Sequence, residues 1–249
     1  MKTLNVFIKN GYNKNIEIPY ATKVFELARY VRSSNGFIAA KINNEITSLS
    51  YTIKVNSEVE FITIEDTFGM EIYKRSLSFL LKKVAKESFK DKRLIIGHSL
   101  GPGYYFEFEN YHITKDDLLI LENGIKDLVN KKIPIERERI SYKELLEYFK
   151  NNNYIDKYKL LLGINSSKLS IYKCDDFFEL FVGPIVSNTS YLNVFSLIYY
   201  PPGFILQFPN RDNLKEVAPF VEQRKIFEIY KESKEQGKAW NVDNVGSLN

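Results

Sequence analysis

This sequence contains few side chains that could bind a metal ion or transfer a proton near neutral pH. It has two histidines, His98 and His112, and one cysteine, Cys174. A structural zinc site needs four ligands, usually cysteine or histidine, so these residues leave such a site one ligand short. We expect Cys174 to be a small buried apolar side chain, since a lone cysteine forms no intramolecular disulfide. The composition therefore predicts no metal site.

The glycine-rich segment Gly97–Gly103 is a candidate for a nucleotide-binding P-loop. A P-loop requires G-x-x-x-x-G-K-[ST], because backbone amides surround the phosphates while the lysine reaches them. Pro102 occupies the position of the second glycine, and no lysine follows. At Gly237–Lys238, the first glycine of the pattern is replaced by Glu232. We therefore expect this chain to hold no cofactor of its own.

His98 and Ser99 are adjacent and could form a base and a nucleophile. Such a pair could hydrolyse an aminoacyl or nucleotide ester, and this alternative stays open. The favoured interpretation is that His98 is a turn residue. No catalytic residue is assigned on this basis.

The elements before residue 66 follow alternating and helical patterns. Residues 2–18 alternate in polarity and predict a β-hairpin. Thr22 is a candidate N-cap for a helix that ends at Ser33–Gly36. Strands are predicted at Phe37–Ile42 and Glu58–Ile64. Two strands, a helix and further strands in this order indicate a β-grasp fold.

The remainder of the chain predicts a larger α+β region, with a glycine-rich turn over Gly97–Gly103. An apolar stripe at helical spacing begins at Met70. Helices are predicted at Met70–Phe89, Thr114–Lys131, Ser141–Asn151 and Glu216–Lys238, the last broken at Pro219, and strands at Arg93–Ile96, Tyr104–Phe108, Ile135–Ile140, Lys168–Asp175, Phe177–Val182, Phe195–Tyr200 and Phe204–Phe208.

The bulk composition is that of a globular protein rather than a membrane or DNA-binding one. Of 249 residues, 44% are hydrophobic and 27% charged, and the net charge of +4 is spread among interspersed acids and bases. No apolar run is long enough to span a bilayer, and the start of the chain lacks the apolar segment of a signal peptide. We expect a cytoplasmic protein with no membrane or DNA partner.

Two stretches resemble a known family in the right order. Ile38–Ile46 and Val59–Thr67 resemble the TGS domain of threonyl-tRNA synthetases, which has a β-grasp fold. Gly97–Phe108, Asp175–Pro184 and Asn188-Thr189 resemble the second additional domain of those synthetases, which carries out editing. The resemblance extends from Met1 to about Pro209 and implies an α+β fold in which a β-grasp domain precedes a larger α+β domain.

The departures from that family concern its hydrolytic site. The family motif H-S-x-x-H reads Arg75-Ser-Leu-Ser-Phe79 here, and C-x-G-P-H reads Phe181-Val-Gly-Pro-Ile185. Three of the four replacements are apolar and can neither ligate a metal nor move a proton. The resemblance therefore implies that the deacylation chemistry is absent.

The same segments, with the run Tyr199–Pro209, are also similar to the N-terminal half of bacterial uridine-kinase-like proteins. This resemblance implies a TGS domain at 1–66, an editing-like domain at 67–210, and a helical connector at 211–249. The connector would lead to a P-loop kinase domain that is absent from this chain. ATP and magnesium would then serve only that domain, which would be this region's partner.

We predict a non-catalytic binding or regulatory region, in which the old cleft binds a small anion through Arg75. The alternative is that apolar replacements fill the cleft and Arg75 pairs with Glu107, Asp175, Asp176 or Glu179. RNA or tRNA binding through the first domain is a further alternative, with Lys9, Lys14, Lys23 and Lys41 as its contacts. The candidate pocket consists of Arg75, Ser76, Phe79, His98, Tyr104, Tyr105 and Phe181.

Overall fold

The structure is a computed structural model that describes residues 2–9, 13–31, 36–152, 154–164 and 166–239. Most of the predicted helix end at Ser33–Gly36 lies outside these residues. The last part of the predicted connector, residues 240–249, also lies outside them.

The N-terminal part forms a five-stranded mixed sheet with one short helix. Leu4, Val6 and Ile8 alternate with exposed positions, so one face of the first strand enters the core. The sheet order is β2-β1-β5-β3-β4, in which β1 and β5 are parallel and the other pairs are antiparallel. The elements are β1 (Thr3–Ile8), β2 (Lys14–Pro19), α1 (Val24–Leu27), β3 (Ala39–Ile42), β4 (Glu45–Ser48) and β5 (Ser57–Ile62). This topology agrees with the expected β-grasp fold.

The helix α1 is shorter than the sequence predicts. It begins after Lys23, whose amide donates to the Glu26 carboxylate at 3.0 Å. The Thr22 hydroxyl instead donates to the Pro19 carbonyl at 2.7 Å, so the N-cap assignment to Thr22 was wrong. A 3₁₀ turn follows α1, and Val31 is already extended.

The larger part of the chain is built from two antiparallel sheets around a central long helix. The sheet orders are β10-β9-β8 and β11-β12-β7-β6. The fold is therefore α+β, as predicted. The helices are α2 (Thr67–Ser88), α3 (Lys115–Lys131), α4 (Tyr142–Asn151), α5 (Ile155–Leu162) and α6 (Arg224–Ala239), and the strands are β6 (Leu94–Leu100), β7 (Gly103–Phe108), β8 (Glu136–Ser141), β9 (Lys168–Cys174), β10 (Phe177–Glu179), β11 (Ser196–Tyr200) and β12 (Gly203–Gln207).

The glycine-rich turn is narrower than predicted. Only Gly101 and Pro102 form the turn, while Gly97 to Leu100 belong to β6, with a register shift between Ile96 and Ser99. A side chain at Gly97 would approach the Tyr230 hydroxyl to 2.7 Å. Close contact with α6 accounts for this glycine better than turn formation does.

Other differences lie at element ends. The predicted helix from Glu216 begins only at Arg224, beyond Pro219, and the strand predicted to reach Val182 ends at Glu179. The sequence analysis predicted neither α5 nor β4. None of the described helices is long and apolar enough to cross a membrane.

Strand β3 contacts two apolar cores at once. Ala39 belongs to the large core around α2, and Ala40 belongs to the core of the five-stranded sheet. Both side chains are fully buried. Adjacent residues of a strand point to opposite faces, so both faces of the sheet are covered at β3. The five-stranded sheet is thereby packed against the rest of the molecule.

Candidate functional site

The four positions that depart from the synthetase motif lie close together. Arg75 and Phe79 are one turn apart on α2, and Phe181 and Ile185 flank the loop after β10. The rings of Phe79 and Phe181 have centroids 6.0 Å apart. The Nη1 of Arg75 donates to the Pro184 carbonyl at 2.6 Å. The helix and the loop therefore form one local site.

Apolar side chains fill the centre of this site. Phe79 and Ile185 have no exposed surface, and the ring of Phe79 also packs on Phe177 with centroids 5.1 Å apart. Neither side chain has an atom that could ligate a metal or transfer a proton. Within the described part of the chain, no group of three or more His, Cys, Asp or Glu side chains is placed to hold a metal ion.

Ser76 has a structural position in this site. Its hydroxyl donates to the Ile72 carbonyl at 2.6 Å and accepts from the Val186 amide at 2.9 Å. Both bonds are buried, so the hydroxyl has no capacity left to act as an exposed nucleophile. The bond to Val186 connects the loop to α2 and fixes the position of the loop.

Arg75 is half-buried and has no carboxylate partner among the described residues. Three of the four carboxylates considered as partners are engaged elsewhere: Glu107 with Lys234, Glu179 with Lys157 and Lys82, and Asp175 with Lys83. The fourth, Asp176, is exposed and forms no ion pair with Arg75. The guanidinium lies against Gly183, which has φ +89°, and a Cβ there would be 3.1 Å from Nη1. Glycine at this position permits both the backbone conformation and the close approach of Arg75.

A cavity of about 190 Å³ adjoins the two residues that Arg75 contacts. It lies between β4 of the five-stranded sheet and strands β8 and β9. Arg137 faces it and donates through Nη2 to the Ser170 hydroxyl at 2.9 Å. The lining residues are Glu45, Ile46, Thr47, Arg137, Ser170, Tyr172, Phe181, Gly183 and Pro184.

Tyr172 is a buried residue that lines the cavity, and both arginines interact with it electrostatically. Burial raises the pKa of its phenol, while the positive charges of Arg137 and Arg75 act in the lowering direction. Two guanidiniums therefore lie within electrostatic range of one hydroxyl. Arg137, Ser170 and Tyr172 could not be predicted from the sequence, because strand pairing alone brings them beside the loop and no motif spacing marks them.

Consecutive residues of β7 face different parts of the molecule. Tyr104 is half-buried on the α2 side, where burial raises its pKa and Arg75 acts in the lowering direction. Tyr105 is fully buried on the opposite face, with its ring 5.0 Å from Phe227 of α6. The structure thus brings Tyr104 toward Arg75 and places Tyr105 away from it.

His98 is also remote from the cavity. Its ring is exposed and stacks on Tyr230 of α6 with centroids 6.3 Å apart. Residues 97–101 match the G-x-S-x-G pattern, but Ser99 is exposed within β6 and the strand continues into a hairpin rather than a helix. A nucleophile elbow requires a sharp turn from strand to helix. Within the described chain no hydrogen bond joins His98 to Ser99.

Two of the four lysines considered for RNA contacts form ion pairs with carboxylates of the protein. Lys9 pairs with Glu58, and Lys23 pairs with Glu136 at 2.9 Å. Lys14 is exposed on β2. Lys41 is half-buried on β3.

No protein-family model matches the chain. It is similar to curated threonine--tRNA ligases, with 29% identity to that of Desulforamulus reducens over 199 residues, covering 78% of this chain and 31% of the relative. The ligase of Carboxydothermus hydrogenoformans is 26% identical over 238 residues, covering 88% and 38%. That of Ehrlichia chaffeensis is 29% identical over 190 residues, covering 76% and 30%. The chain spans about a third of the length of these relatives.

Proposed function

We propose that this chain is a non-catalytic ligand-binding and regulatory region, in which a domain like the editing domain of threonyl-tRNA synthetases has lost its hydrolytic site. The observation that carries the proposal is the complete burial of Phe79 and Ile185 at positions where the motif has histidines. Similarity to threonine--tRNA ligases supports the origin of the domain. Buried apolar groups cannot activate water, so no deacylation step is available at this site.

We further propose that the region belongs to a uridine-kinase-like protein and acts on its kinase domain. The support is the resemblance of Arg75–Ser78, Phe177–Pro184 and Tyr199–Pro209 to such proteins. A regulatory region needs a ligand that binds one conformation better than another. The half-buried Arg75, which lacks a carboxylate partner in the described chain, supports an anion as that ligand.

Release of amino acid from charged tRNA tests the loss of hydrolysis. We expect the chain to release radiolabelled amino acid from aminoacyl-tRNA no faster than buffer alone. The Ser99→Ala variant is the matched control, because Ser99 is exposed and we expect its replacement to leave the fold unchanged. Release by the natural chain that is lost in Ser99→Ala would establish the hydrolase alternative in place of this proposal.

A further inference from the structure

We propose that the cavity between β4 and strands β8–β9 binds the phosphate group of a small molecule, held by Arg137, while Arg75 adds its positive charge from behind the Gly183–Pro184 wall of the cavity. This inference rests on the proposed function, because it names the ligand class and the residues of that binding site. It adds Arg137, Thr47 and Tyr172 to a site in which the sequence indicated only Arg75 and Phe181.

Two positively charged side chains, Arg137 and Arg75, lie at or beside the cavity. Arg75 and Arg137 both act electrostatically on Tyr172, and neither has a carboxylate partner among the described residues. Guanidiniums stay protonated at any physiological pH, so their mutual repulsion persists. A bound dianion would neutralise both charges at once. Among the described residues that line the cavity, Glu45 is the only carboxylate, and it is exposed, so solvent and salt screen its charge.

The guanidinium groups also offer hydrogen-bond donors. Each guanidinium has five N–H groups in a fixed fork. Arg75 uses one group on the Pro184 carbonyl, and Arg137 uses one on the Ser170 hydroxyl. Arg137 lines the cavity, so its remaining N–H groups are available to a ligand there, and such a fork matches the geometry of phosphate oxygens.

The hydroxyl of Thr47 is buried beside the cavity without a hydrogen-bond partner among the described residues. Thr47 is 4% exposed, and its Oγ1 has no hydrogen-bond partner in the described part of the chain. Buried polar groups are nearly always hydrogen-bonded, so an exception needs an explanation. Thr47 lines the cavity, and a ligand oxygen there would provide the missing partner. This hydroxyl lies on β4, opposite the arginine on β8.

The size of the cavity fits a small group rather than a whole cofactor. A volume of about 190 Å³ accommodates a phosphate with a few further atoms. The rest of the ligand would leave past Gly183 and Glu45, which are both exposed. A phosphate monoester carries −1.5 to −2 charges near pH 7, which is sufficient to neutralise two guanidiniums.

Calorimetric titration tests the proposal with three probes: inorganic phosphate, a nucleoside monophosphate and acetate. We expect one phosphate compound to bind per chain, and acetate to bind at least tenfold more weakly. Arg137→Ala should weaken binding about tenfold or more. Arg139→Ala, two residues along the same strand and exposed, should leave binding unchanged. Thr47→Val, which keeps the side-chain shape, should weaken binding severalfold.

Thermal unfolding of each variant in the absence of ligand separates lost binding from lost folding, and Arg137→Lys provides a conservative replacement that keeps the charge. The proposal is overturned if neither phosphate compound binds, if acetate binds equally well, or if folded Arg137→Ala binds as the natural chain does. If no phosphate compound binds and no amino acid is released from tRNA, the phosphate site is disproved but the proposed function stands. Release from tRNA removes the proposed function whatever the phosphate result.

Discussion

At the scale of single residues, shape and polarity account for the altered site. Replacement of a histidine by Phe79 or Ile185 removes both ring nitrogens and fills the space they would need. Arg75 keeps a cation where the motif has an imidazole that titrates near neutral pH. At these positions the motif's proton-transferring side chains are absent, and Arg75 offers a positive charge that attracts anions.

Zinc content tests the consequence of these replacements. We expect purified protein to contain far less than one zinc per chain, because no described cluster offers a ligand set. Elemental analysis after dialysis without chelator measures this directly. About one tightly held zinc per chain would show that ligands come together in a way the sequence does not indicate.

Glu179 provides a prediction about pH. The carboxylate is buried, which acts to raise its pKa, but Lys82, Lys157 and the Leu180 amide outweigh burial and hold the pKa below the ordinary value of 4.5. A lowered folded-state pKa contributes stability above about pH 4.5, and that stability is lost as pH falls through the folded-state value. Glu179→Gln should therefore be less stable than the natural chain at pH 7, by about 3–5 kcal/mol.

The stability gap between the natural chain and Glu179→Gln should shrink as pH falls below 4.5. Urea unfolding measured at several pH values tests this difference, with the exposed Glu147→Gln as a control. A gap that stays constant between pH 7 and pH 3 would contradict the assigned pKa direction.

Part of the residue-scale site could be predicted and part could not. Arg75 and Phe181 were found because they occupy motif positions. Thr47, Arg137 and Tyr172 lie on three strands far apart in sequence, and only tertiary packing brings them to one cavity. Tyr105 was wrongly grouped with Tyr104, because the alternation of a strand was not applied to β7.

At the scale of elements, local rules succeeded where the deciding contacts are local. Thr114 and Ser141 cap α3 and α4 by accepting from amides three residues on, and both starts were predicted from these side chains. The start of α6 failed because Pro219 and its neighbours form a non-helical segment against the sheet, where the Ala218 carbonyl accepts from Gln207. Such contacts between distant segments leave no periodic signal.

The packing of α2 on α3 gives a prediction at this scale. Gly124 lies inside α3, and a Cβ there would overlap the Val84 side chain of α2. Alanine gains about 1 kcal/mol of helix propensity, but overpacking costs about 1–3 kcal/mol. Gly124→Ala should therefore be neutral to destabilising rather than stabilising.

A double-mutant cycle separates the effect of helix propensity at position 124 from the effect of overpacking against Val84. Val84→Ala removes the overlapping methyl groups, so the double variant should be more stable than the sum of the single effects, by about 1 kcal/mol or more. Chemical denaturation of the four proteins measures the coupling. Strict additivity would mean that the helices separate freely to admit the methyl group.

At the scale of the whole molecule, the β-grasp sheet and the larger region form one packed body through β3. The α+β class followed from strand and helix order, because the long helices α2 and α3 and most of the strands have clear periodic patterns. The domain boundary at residue 66 stays a prediction. The cavity lies where β4 meets the larger region, so sequence patterns within either part could not indicate it.

Phosphorylation of uridine tests the assignment of chemistry within this chain. The sequence has no P-loop to hold a γ-phosphate and its magnesium. With ATP, magnesium and uridine, we expect no uridine monophosphate above background. Turnover on the order of 1 per second, as in ordinary kinases, would show that a phosphate site has been overlooked.

The central position of strand β7 determines how fast its amide protons exchange with solvent. It is an inner strand, paired with both β6 and β12, and its side chains are covered by α2 on one face and by α6 on the other. Exchange there requires sub-global or global opening, whereas the edge strands β4 and β10 can open locally. In heavy water the amide of Phe106, which pairs with both neighbouring strands, should retain its proton longest, and those of β4 should lose theirs first.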